Sequence, residues 1–282
     1  MIEEKAYAKV NLFLNVLDKR NDGYHNLEMI NAKIDLFDNI KFKIIDCPET
    51  VIIRSNDLFL SNQDNVVIQV AKYMLRNFQI KSGLEITIEK NIPFGAGLAG
   101  NSADSAAVIK GINRLFNLEL TNEIMSEIGA MFGADIPYCL IDYPAYVTGI
   151  GEKIEKISVD LSSYKVLLIN PKEYISTKTV FEFGDKKGFE QKNIHEAKKF
   201  LEKNDIAGFK NFMFNSLEQV VVENYQSIND FKKILIDKLG SSGLIMTGSG
   251  STFIKIIGEN EDFSHFTTEY KVNYLVKTYN FL

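Results

Sequence analysis

Pro93-Phe94-Gly95-Ala96-Gly97-Leu98-Ala99-Gly100-Asn101-Ser102-Ala103-Asp104-Ser105-Ala106-Ala107 lies between two periodic runs. Before it, Leu84, Ile86 and Ile88 alternate as a strand does; after it, Val108, Ile112, Leu115 and Phe116 recur at helical spacing. The pattern predicts a strand, a tight turn and a helix from Ser102 to Phe116. Gly95, Gly97 and Gly100 let the backbone turn sharply and bring bare amides against a ligand. A helix start adds unpaired N–H groups and the positive end of the helix dipole. Together these features make a cradle for phosphate, and the first expectation is a nucleotide-binding protein.

Two familiar cradles fit poorly. Gly95 to Gly100 satisfies Gly-x-Gly-x-x-Gly, but a dinucleotide fold needs a second parallel strand with a terminal acid about 20 residues on. That interval here reads as one long helix, a short linker and another helix. No Gly-Lys-Ser/Thr follows, so the Walker pattern fails as well. Glycines that merely permit tight strand–helix packing are the competing account of this loop alone.

Outward from the loop, Ala6 to Val16 alternates as a strand, Asn21-Asp22-Gly23 is a turn, and Ile30–Leu36, Lys41–Ile45 and Val51–Arg54 read as strands. Val66 to Phe78 has helical spacing, and Thr121 is placed to cap a helix ending at Phe132 with Gly133 at C′. Tyr146–Thr148 and Val166–Ile169 are strand-like. Beyond them, helices over Asn193–Asn204, Ile206–Val222 and Ile228–Leu239 mix with strands over Gly243–Met246 and Thr252–Ile257. Strands and helices are mixed without strict alternation, which favours an α+β fold.

Composition bounds the function. A formal charge of -5 argues against a broad nucleic-acid or anionic-membrane surface. Two distant cysteines, Cys47 and Cys139, and three histidines make neither a disulfide framework nor zinc spacing, which fits a reducing compartment. The first ten residues carry Glu3 and Glu4 and no apolar core, unlike a signal peptide, and no run approaches a membrane span. The expected location is the cytoplasm, with neither nucleic acid nor membrane as partner.

Further segments extend the loop into an ordered set: Ala8-Lys9-Val10-Asn11-Leu12, Gly133-Ala134-Asp135-Ile136-Pro137 and Thr247-Gly248-Ser249-Gly250-Ser251. This set resembles the GHMP kinases, the superfamily of galactokinase, homoserine kinase and mevalonate kinase. Asp22-Gly23-Tyr24-His25, Thr148-Gly149-Ile150-Gly151-Glu152 and Ser176-Thr177-Lys178-Thr179-Val180-Phe181 narrow the resemblance to the 4-diphosphocytidyl-2-C-methyl-D-erythritol kinase family. It spans almost the whole chain, and Asp-Gly-Tyr-His close behind Lys-x-Asn is its most discriminating piece.

The resemblance implies two α+β domains: 1–160, an ATP-binding domain like domain 2 of ribosomal protein S5, and 161–282, a ferredoxin-like domain, with the active site in their cleft. It implies ATP and Mg2+, a small-molecule substrate (4-diphosphocytidyl-2-C-methylerythritol, phosphorylated at its 2-hydroxyl in the non-mevalonate route to isoprenoid precursors), and a monomer or homodimer. The rival readings are another GHMP kinase, of the mevalonate or homoserine type, and a non-catalytic binding module of the same fold.

Residue roles follow from the resemblance. Asp135 is the implied general base, against an ordinary role as turn or cap aspartate. Lys9 is implied to orient Asp135 and to stabilise the transferring phosphoryl group; alternation alone leaves it on either a solvated or a cleft-facing strand face. Asn65, Pro93 and Gly95 to Ala103 are the implied ATP contacts, with Asn65 also suited to capping the helix at Val66. Asn11, Tyr24, His25, Thr177, Phe181, Gly248 and Ser249 are the implied substrate contacts, Tyr24 and Phe181 as a base sandwich. Ser102 suits capping the helix, bonding a phosphate oxygen or holding Mg2+, and Asp104 suits capping an amide, bonding a ribose or facing the metal; the sequence leaves the Mg2+ ligand open between them. Many relatives carry glycine at Ala99 and Asn101; alanine is a mild change, and asparagine tolerates a positive φ.

Overall fold

The computed structural model describes residues 2–56, 65–270 and 274–282. In chain order its elements are β1 (Ile2–Lys19), β2 (His25–Ile45), β3 (Val51–Ser55), α1 (Val66–Asn77), β4 (Gly83–Glu89), α2 (Gly100–Leu115), α3 (Asn122–Ala130) and α4 (Ile136–Cys139). Then come β5 (Ala145–Gly149), β6 (Lys153–Lys156), β7 (Lys165–Asn170), α5 (Thr177–Lys187), α6 (Ile194–Glu202), α7 (Ile206–Phe212) and β8 (Phe214–Asn215). The remainder is α8 (Ser216–Asn224), α9 (Gln226–Leu239), β9 (Leu244–Met246), β10 (Phe253–Ile257), α10 (Ser264–Tyr270) and β11 (Leu275–Asn280). The α+β expectation holds.

Two compact units interleave in sequence. One comprises Met1–Ala8, Leu36–Phe94 and Ala99–Asp142; the other comprises Lys9–Asp35, Gly95–Leu98 and Tyr143–Leu282. In the first unit, β4 pairs antiparallel with the end of β2, from Asn39↔Glu89 to Ile45↔Gly83, and parallel with β3. Its alternating Leu84, Ile86 and Ile88 are buried, as are Val67, Val70, Ala71, Met74 and Leu75 of α1. Helix α2 lies directly on the strand layer at Gly111, where a Cβ would strike the ring of the fully buried Phe42.

In the second unit, β5 joins the start of β2 to β6, and Phe13 and Leu14 of β1 pair in parallel with β8. A separate antiparallel sheet has the order β11-β7-β10-β9. Its central β7 and β10 bury Val166 to Ile169 and Phe253 to Ile257, with Val180, Leu217, Val221, Phe231 and Leu235 of α5, α8 and α9 also in this unit's core. Among the described residues no helix is long and apolar enough to cross a membrane.

The structure departs from the sequence reading where side chains outside the local pattern decide. The single helix expected over Ile206–Val222 is two, because Asn215 restarts the chain: its side chain accepts from Leu217 N and donates to the carbonyls of Met246 and Gly248. Helix α2 begins at Gly100, two residues before Ser102, and α3 ends at Ala130, so Gly133 is no C′ residue. Helix α5 was not anticipated; Ser176 caps it by accepting from Thr179 N.

Candidate active site

The glycine segment runs between two anchored ends. At its entrance, Asp38 of β2 accepts from the backbone N–H groups of Asn91 and Ile92. The ammonium of Lys90 pairs with Asp38 and, at 2.7 Å, with Asp104 in α2. These three side chains are 6% exposed for Lys90 and 0% for both acids. One cation thus serves two buried carboxylates. Burial, then the neighbouring Asp38 against the opposing pull of Lys90, pushes Asp104 up to about 7. Its other oxygen, Oδ1, has no hydrogen-bond partner among the described residues. Asp104 is therefore engaged in tying the entrance of the turn to the helix after it, and of the two Mg2+ candidates only Ser102 stays partly exposed.

Helix α2 is entered through Ala99 at φ 55, ψ 34, the left-handed region, and no side chain caps its N-terminus. No acidic residue lies in its first turn. The positive φ thus falls on Ala99, while Asn101 is ordinary helix. Left-handed geometry costs an L-residue roughly 1–2 kcal/mol relative to glycine, so the chain carries strain at the entry to α2.

In the other unit, β1 is buried on both faces from Ala8 to Val16, and Lys9 is 4% exposed. This removes the solvated alternative for Lys9. Its N–H donates to Leu98 O, and its Nζ donates to Asn11 Oδ1 at 3.0 Å. Because Asn11 turns its oxygen to the cation, its Nδ2 donates to Asn31 Oδ1 at 2.7 Å. That leaves Asn31 Nδ2 buried without a partner among the described residues. The charge on Lys9 thus sets the polarity of a chain of buried amides. Asn31 went unnoticed in the sequence, although a polar residue on the strand beside Met29 was a signal for it.

The turn at Thr247–Ser251 meets the first glycine turn backbone to backbone. A Cβ on Gly97 (φ +74) would clash with Thr247 O, and one on Gly248 (φ +58) would meet Gly97 O at 2.9 Å. Asn11 N donates to Thr247 Oγ1 at 2.8 Å, and Thr177 Oγ1 and Ser249 Oγ share a hydrogen bond of 2.7 Å. Lys9, Asn11, Gly97, Leu98, Thr177, Gly248 and Ser249 are in this way brought together. Asn215 braces the second turn and left no signal, since it reads as mid-helix.

Tyr24 and His25 close the turn from β1 to β2, which Arg20 N→Tyr24 O at 2.7 Å and Asp22 Oδ1 accepting from Tyr24 N hold in shape. Tyr24 is 60% exposed. His25 is buried: Phe181 of α5 stacks on it with centroids 5.0 Å apart, and Phe189 meets it edge-on at 5.5 Å. One helical turn beyond Phe181, Asp185 lies 2.7 Å from His25 Nε2 and pairs with Lys19. The hydrogen bond from Lys19 is the largest influence holding the Asp185 carboxyl below its usual range. Asp185 was not singled out from sequence, where it reads as an ordinary helix-surface acid.

Asp135 is the N-cap residue of α4, with φ -84, ψ -13, and its side chain makes no capping hydrogen bond. Asn65 does cap α1, accepting from Val67 N at 2.8 Å. Among the described residues no three His, Cys, Asp or Glu side chains gather into a metal nest.

The chain is similar to known kinases. A family model described as the GHMP kinases N terminal domain matches residues 65–149, which include the glycine segment and Asp135. A 4-diphosphocytidyl-2-C-methyl-D-erythritol kinase of Clostridioides difficile is 38% identical over 93% of this chain and 88% of its own length. One from Clostridium tetani is 41% identical over 88% of each. A crystal structure of 4-(cytidine 5′-diphospho)-2C-methyl-D-erythritol kinase superposes with TM-score 0.79 at 25% identity, covering 99% of both chains. A homoserine kinase from Cytophaga hutchinsonii shares the fold, with TM-score 0.73, 17% identity and coverage of 99% and 94%. By that extent of identity, the chain belongs to the 4-diphosphocytidyl-2-C-methyl-D-erythritol kinase family, within the GHMP kinase fold.

Proposed function

We propose that the protein transfers the γ-phosphoryl group of ATP to the 2-hydroxyl of 4-diphosphocytidyl-2-C-methyl-D-erythritol, releasing ADP. The supporting observation is the start of α2: a 16-residue helix, uncapped by any side chain, follows directly on a glycine turn. Backbone N–H groups there suit phosphate oxygens, and the helix dipole favours their charge. Asp104, the nearby acid, shares the ammonium of Lys90 with Asp38.

Phosphoryl transfer needs positioning, charge stabilisation and an acceptor for one proton. The substrate oxygen bonds to the γ-phosphorus as the bond to the β–γ bridging oxygen breaks, and the hydroxyl proton passes to Asp135. Lys9, kept in place by Asn11, lends its charge to the transferring group. Ser102 would hold Mg2+, which supplies neutralisation of the triphosphate. Tyr24, His25 and Phe181 take the cytosine, while Thr177 and Ser249 contact the substrate. Asn65 and the glycine segment hold ATP.

The test is ADP release with the cytidyl substrate, mevalonate and homoserine in parallel, for wild type and Asp135→Asn. Turnover on the cytidyl substrate alone, reduced about 10²–10⁴-fold in the variant, is the expected result. Preference for another alcohol overturns the substrate, and full turnover in Asp135→Asn overturns the base.

A further inference from the structure

We propose that Asp185 is a positioning residue that fixes the tautomer of His25, so that the free ring nitrogen, Nδ1, acts as a hydrogen-bond acceptor and selects an aminopyrimidine over an oxopyrimidine. The inference rests on the cytosine reading of His25 and goes one step past it, to how the ring tells two bases apart.

The geometry carries it. Asp185 Oδ1 is 2.7 Å from His25 Nε2, and Lys19 holds the other carboxylate oxygen. A carboxylate paired with a cation accepts hydrogen bonds and offers none, so the proton of a neutral imidazole belongs on Nε2. Nδ1 then carries the lone pair. The ring cannot swing to exchange its nitrogens freely, because Phe181 covers its face and Phe189 its edge. Phe181 and Asp185 share α5, so the helix that stacks on the ring also sets its proton. Asp185 pairs both with His25 and with Lys19.

The consequence is chemical. At C4 of the pyrimidine ring, cytosine presents an amine, a donor, and uracil presents a carbonyl, an acceptor. An acceptor Nδ1 welcomes the first and repels the second; uracil could offer a donor only from ring N3, one position along its edge. In Asp185→Asn the side-chain amide can either donate or accept, so the imidazole is free to populate both tautomers and the distinction weakens.

The experiment uses the full chain with cytidine 5′-diphosphate and uridine 5′-diphosphate as probes in calorimetric titrations, and ¹⁵N NMR of the imidazoles. The other two histidines, His195 and His265, are assigned by replacement with glutamine. Wild type should show the Nε2–H tautomer at His25 and prefer the cytidine probe by about ten-fold or more. In Asp185→Asn the tautomers should mix and the preference should shrink to within about three-fold. An Nδ1–H tautomer in wild type overturns the proposal and needs no variant to fold. A preference kept intact in Asp185→Asn overturns the role of Asp185 while leaving the cytosine site standing. Equal binding of the two probes by wild type overturns the cytosine reading of His25, and this inference with it.

Discussion

Lys90 and Lys19 each meet an aspartate, yet the two clusters obey different physics. Lys90 sits between Asp38 and Asp104 with all three side chains nearly sealed from water, while Lys19 is 52% and Asp185 27% exposed. The first cluster ties together the two ends of the glycine turn. The second meets one imidazole, that of His25. Burial gives the first its structural weight, since a sealed charge that loses its partner has no water to turn to. Partial exposure leaves the second with little stabilising value and with its effect on the ring intact.

Four measurements probe this contrast. The largest effect should come from Lys90→Met, which strands two buried carboxylates; urea unfolding should show a loss of about 3–5 kcal/mol. A loss below about 1 kcal/mol would mean that the cluster is solvated and anchors nothing. Next, Ala99→Gly should raise stability by roughly 1 kcal/mol, because glycine occupies the left-handed region without a Cβ penalty. No gain would show that Ala99 leaves that region in solution.

Lys19→Met should cost less than about 1 kcal/mol, a difference that fades further with added salt. A cost equal to that of Lys90→Met would erase the distinction. The smallest effect concerns Tyr146, an intermediate case of partial burial beside Glu28, at 3.1 Å. Burial first, and then the charge of Glu28, push its phenol up to about 12. A folded pKa above the unfolded value means that this stabilisation is whole below pH 10 and is lost as pH rises toward 12. Burial and Asp35 raise Tyr279 as well, so ultraviolet titration should show late-ionising tyrosines in wild type and an earlier late step in Glu28→Gln; an unchanged curve would remove Glu28 as a cause.

Much of the site was legible in the chain because its chemistry is local. A strand, three glycines and a helix must follow one another within some thirty residues to make a phosphate cradle, and backbone amides need no distant partner to do so. Lys9 with Asn11, and Tyr24 with His25, could be found for the same reason: each pair sits on one short segment. Periodicity placed α1, β4 and β10 because each buries one face or both in a regular rhythm.

What depends on distant partners was not legible. Asp185 is an unremarkable helix acid until α5 carries it to a histidine 160 residues earlier. Asn215 reads as mid-helix until it meets the carbonyls of Met246 and Gly248. Asp104 looked free to face a metal until Lys90 and Asp38 closed around it. Sequence alone determined the order of strand, glycine turn and helix and the α+β class, because backbone geometry and hydrophobic rhythm act over a few residues. Only the tertiary structure decided which charges are buried, which side chains meet an imidazole and where Ala99 is strained, because solvent exclusion and hydrogen-bond partners are properties of the folded surroundings.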